Sequence, residues 1–126
     1  MKERRFVLAV ALAALASAAP VVAHHGGAAF DQSQTKTFVG TVTDLQFANP
    51  HVLVFFDIKT TEGAVEQWSG WLTAPTKLAR AGWTKKTLVP GDRIEITGTP
   101  HKGGSHILQI RKLIAPDGKE LPLFEN

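Results

Sequence analysis

The residues in this chain best suited to chemistry are its five histidines, His24, His25, His51, His101 and His106. Neutral imidazole is the commonest protein ligand for transition metals. Sulfur ligands are nearly lacking, since there is no cysteine and the only methionine is Met1. A nitrogen-only donor set favours Cu(II), Ni(II) or Zn(II) over Cu(I), and among divalent ions Cu(II) binds such sites most tightly. The pair His24–His25 gives this idea its sharpest form, because it follows a candidate leader-peptide cut site in "VVAHHGG".

The leader reading rests on three parts. Lys2, Arg4 and Arg5 make a basic start, residues 6–18 are uncharged and apolar or small, and Val21 and Ala23 supply small side chains before His24. These are the parts of a secretory signal, and the apolar run falls short of the about 20 residues that span a bilayer. Cleavage after Ala23 makes His24 the first residue, whereas the competing cut after Ala18 leaves Pro20 near the new end. A free α-amine and the Nδ1 of the same histidine form a chelate. Their unperturbed pKa values, about 8 and about 6.5, mean that a metal displaces few protons at neutral pH. The expected location is periplasmic or secreted, with no stable membrane anchor once the leader is gone.

Removing residues 1–23 leaves 11 basic and 10 acidic residues, so the precursor's net charge of +3 belongs mostly to the leader. That balance argues against nucleic acid as a partner. The remaining chain is one domain by size. Residues 24–36 read as an N-terminal arm and residues 37–126 as the folded domain.

The elements that must position the histidines are short strands. Residues 37–47, 52–58, 64–72, 93–98 and 107–114 are rich in β-branched, aromatic and other apolar residues, the types that suit a pleated, half-buried surface. Gly40 interrupts the first run, as expected of a bend or bulge. Residues 75–81 are the one helix candidate. Pro75 suits the first helical position, Gly82 the left-handed residue beyond the end, and Trp83 the apolar residue that packs back on Leu78. The order β-β-β-α-β-β predicts a mainly β fold, a small five-stranded OB-like Greek-key barrel with its helix between strands 3 and 4.

In that barrel His51 ends the loop between strands 1 and 2, and His101 and His106 bracket the loop between strands 4 and 5. These loops border the ligand face of the fold, so the histidines are expected near one end, within reach of the arm carrying His24 and His25. Trp68 and Trp71 fall on opposite faces of the third strand. One points into the barrel and the other outward, where Trp71 could stack on a sugar or a protein partner. Ser33, Ser69 and Ser105 have no nucleophile-elbow context, and Glu62 and Glu66 read as solvated charges around a hairpin. The expectation is a non-enzymatic binding module. Its leading ligand is copper through His24, His25, His51, His101 and His106, and the alternative is a periplasmic protein or glycan.

Several stretches together resemble a known family: "AHH", "FVGTVTDLQFANPH", Trp68, "APTKLARAGW", "LVPGDRIEITGTP" and "APDGKEL". They are similar to exported bacterial proteins grouped as domain of unknown function 6152. The resemblance implies export in Gram-negative bacteria and a small β-rich domain, and it carries no activity with it. The family's recurring "HH" and "NPH" match His24, His25, Asn49, Pro50 and His51. Where it often has a glutamate three residues after the tryptophan, this chain has Trp71. "HKGGSH" is not a piece expected throughout the family. Asn49 before Pro50 also has a structural reading as a turn, and His51 as a histidine bonded to a backbone carbonyl. Asn49 and Trp71 complete the candidate ligand-binding residues.

Overall fold

Alternation of apolar and polar side chains sets the inner and outer faces of every strand. The computed structural model describes residues 26–124. A 3-10 turn at Gly26–Ala29 precedes β1 (Lys36–Gln46), β2 (Leu53–Lys59), β3 (Val65–Trp71), α1 (Pro75–Arg80), β4 (Arg93–Pro100) and β5 (Ile107–Ile114). The strands close into a barrel in the order β1-β2-β3-β5-β4. All neighbouring pairs are antiparallel except β3 with β5. This is the expected mainly β, OB-like barrel, with one short helix between the third and fourth strands.

β1 closes the barrel by serving two neighbours. Its first half, from Lys36 to Thr41, pairs with β4, and its second half, from Thr41 to Gln46, pairs with β2. Gly40 sits where the strand changes partner, and a Cβ there would lie 2.9 Å from the Phe56 ring and 3.0 Å from the Asp57 carbonyl oxygen. Close packing leaves no room for a side chain at Gly40, whereas the irregularity of β1 falls later, between Val42 and Asp44.

Inward-facing Val42, Val54, Phe56, Ile94, Ile96, Leu108 and Leu113 fill the barrel. Leu78 of α1, fully buried, and Trp83 just beyond it join the same core. The helix ends as its sequence demands. Gly82 takes φ +99°, its N–H donates to the Ala79 carbonyl, and the Trp83 N–H donates to the Leu78 carbonyl. These are the paired bonds of a glycine C-cap. Trp83 Nε1 then donates to the Pro122 carbonyl at 2.7 Å, tying the C-terminal segment to the barrel. Among the described residues no helix is long and apolar enough to cross a membrane.

Most element ends lie within one residue of expectation, and two features depart further. β4 runs on to Pro100, because buried Thr99 and Pro100 pair with Gln109 and Leu108 of β5. The arm is also docked from Phe30 onward. Phe30 forms an antiparallel bridge with His101, the Asp31 N–H donates to the Pro100 carbonyl, and the Lys102 N–H donates to the Ala29 carbonyl.

Candidate functional site

A row of four rings lines one rim of the barrel. His51 follows the Asn49–Pro50 bond, which is cis, and the β2–β3 ladder continues past the strand ends through Val52 and Leu72. This extension places His51 Nδ1 3.0 Å from the Leu72 carbonyl oxygen. A carbonyl only accepts, so the ring proton sits on Nδ1 and the neutral ring keeps its lone pair on Nε2. A backbone carbonyl holding one ring nitrogen is the usual support for a histidine that ligates through the other. The His51 ring also stacks on Trp71, with centroids 5.5 Å apart and planes 25° apart.

Trp71 meets the edge of Phe30 at 5.7 Å, and Phe30 meets His101 edge-on at 5.9 Å. Phe30 is 1% exposed although it precedes the barrel. His101 is set in the opposite tautomer. Its Nδ1 lies 3.0 Å from the Gly103 N–H and accepts from it, which leaves the proton of the neutral ring on Nε2. The arm beyond Phe30 is fixed by Asp31, whose carboxylate accepts from the Ser33 N–H and Oγ–H and from Gln34 Nε2. Hydrogen bonding from Ser33 is the main cause that holds the Asp31 carboxyl below its ordinary pKa.

His106 belongs to a second cluster. Its ring lies flat on Trp68, with centroids 4.7 Å apart and planes 12° apart, and its Nε2 is 3.8 Å from Glu66 Oε2. The same oxygen accepts from Trp68 Nε1 at 2.9 Å. Phe38 packs on Trp68, and Lys36 Nζ stands 5.9 Å from the ring centroid. His101 and His106 share the lining of a cavity of about 360 Å³ with Trp68 and Glu66.

The expected inward and outward tryptophans are therefore Trp68 and Trp71. Trp68 is in the core cluster, and Trp71 is half-buried beneath Phe30 and His51. His51 and His101 sit on one row of rings, separated by Trp71 and Phe30, while His106 stands in the neighbouring cluster. Asn49 is exposed in the loop before His51. His24 and His25 lie outside the described residues. Among the described residues no group of three or more His, Cys, Asp or Glu side chains is placed to hold one metal ion.

Sequence reasoning missed two residues. Phe30 carried a signal, as a lone large aromatic in an arm otherwise built of small and polar residues. Glu66 reads as a solvated charge, yet it bonds Trp68, two positions along the same strand face. Phe30→Ala is expected to free the arm at a cost of about 3 kcal/mol, confined to that region. Hydrogen exchange checks this. The Asp31 and Lys102 amides should exchange faster, while amides of β2 and β4 keep their protection.

The fold and these two ring clusters define a small OB-like barrel with histidines at its loop rim. The chain belongs to the family of unknown function DUF6152, whose profile matches residues 11–109. Comparisons with curated proteins and with solved structures returned no match.

Proposed function

We propose that this protein is an exported, non-enzymatic binding module for a transition metal, Cu(II) first. The site would combine the α-amine and ring of His24, freed by cleavage after Ala23, with the Nε2 of His51. His25, next in sequence, would supply a further imidazole. The observation that carries the reading is the Nδ1 bond of His51 to Leu72, which fixes the ring and directs its lone pair to Nε2. Docking of Phe30 supports it. Only six positions separate His24 from this anchor, a reach of no more than about 20 Å even for extended chain. Phe30 itself packs on Trp71, the ring against which His51 stacks. His101 fits a ligand role less well, because Nε2 coordination requires the tautomer that gives up its bond from Gly103.

Trp71 offers the readout. A Cu(II) ion on His51 quenches the indole stacked against that ring. Titrating the chain that begins at His24 with Cu(II) should quench emission with a saturating curve, and Trp71→Phe should remove most of that change. His51→Gln should abolish the quench, although the N-terminal amine still captures metal. Equal quenching with and without His51 would defeat this assignment.

A further inference from the structure

The outward face of β1, β2 and β3 has a composition the metal reading does not use. Along β2, Val54, Phe56 and Ile58 face the core, while Leu53, Phe55 and Asp57 face outward and are half-buried. Register places Gln46 and Trp71 on either side of Leu53, Asp44 and Ser69 beside Phe55, and Thr41 and Gln67 beside Asp57. Two depressions lie along this row. One, of about 320 Å³, is lined by Asp44, Gln46, Phe55 and Gln67 among others. The second, of about 350 Å³, is lined by Thr41, Asp57, Lys59 and Arg93 among others. Asp57 Oδ1 is buried with no hydrogen-bond partner in the protein, and such an atom calls for an explanation.

We propose that this face, centred on Phe55 and Asp57, binds a short, uncharged, extended oligosaccharide. Sugar hydroxyls both donate and accept, and Gln46, Gln67, Ser69 and Thr41 are groups that do the same. Half-buried Asp57 lines the second depression and offers its carboxylate there to a hydroxyl donor. Phe55 and Leu53 offer apolar surface to the C–H side of a sugar ring. The strand 2–3 face is also the ligand face of OB barrels, which take oligosaccharides and oligonucleotides. Charge separates those two ligands here. Asp44 and Asp57 offset Lys59 and Arg93, so the face offers no net positive field to a phosphate backbone. An extended peptide is disfavoured because strand addition needs a free edge, and β2 is paired on both sides. The inference stands apart from the metal reading and shares with it only the neighbourhood of Trp71.

Amide NMR of the full protein, titrated with cellotetraose and with chitotetraose, tests it. Shifts should concentrate at Phe55, Asp57 and Gln67 and saturate with a Kd of about 0.1–1 mM for one or both sugars. Phe55→Ala and Asp57→Asn should each weaken binding about tenfold. Gln67→Ala, at an exposed position, gives the same reading should the other two disturb folding. Absence of shifts with both sugars overturns the proposal, as do shifts elsewhere on the barrel or shifts on this face caused only by an extended peptide.

Discussion

Cu(II) affinity is expected to fall by about 10²–10⁴-fold when the α-amine of His24 is acetylated. In the native arrangement the α-amine and the ring of His24 belong to one residue, so the second nitrogen meets the ion at high effective concentration. Acetylation turns that amine into an amide, which has no lone pair to offer at neutral pH. Only separate imidazoles remain, and each must find the ion independently. Both amine and imidazole must be deprotonated to bind, so affinity falls as pH falls, and it should fall less steeply in the acetylated chain. Competition calorimetry against a chelator measures both effects. Equal affinity in the two chains, with equal pH slopes, contradicts the role given to His24.

Phe56→Ala is expected to be the most damaging single truncation of the barrel, at about 3–5 kcal/mol. The ring is fully buried. It packs where no side chain can replace it, because a Cβ on Gly40 would lie 2.9 Å from it and one on Gly70 3.6 Å from it. The closed backbone on both sides limits collapse into the hole, and the cost of a cavity grows as collapse is prevented. A domain of this size has only about 5–15 kcal/mol in total, so the melting temperature should drop by roughly 15–30 °C. Phe55→Ala, one position along and facing outward, should lose far less. Thermal unfolding followed by circular dichroism decides, and equal losses at the two positions contradict the inward–outward assignment of β2.

Local chemistry was readable in the sequence, and distant partners were not. The run at 107–114 became β5 with the same bounds, because apolar residues bounded by turns leave little choice of register. The end of α1 followed from Gly82 and Trp83 for the same local reason. β4 outran its expected end because burial of Thr99 and Pro100 depends on Leu108 and Gln109 across the barrel. His51 could be placed at a loop rim from sequence, but its tautomer depends on the Leu72 carbonyl, 21 residues away. Phe30 is more remote still, as the residues that bury it, Trp71 and His101, belong to β3 and the loop before β5. Glu66 was misread because its charge suggested solvent, while strand alternation had already put it on the Trp68 side.

Electron paramagnetic resonance of Cu(II) bound to the chain beginning at His24 reads the proposed ligand set itself. Nitrogen ligands from the α-amine, the His24 ring and the His51 ring are expected on a single ion, with one nitrogen lost from the spectrum in His51→Gln. A spectrum unchanged both by His51→Gln and by acetylation of the His24 amine would contradict this ligand set.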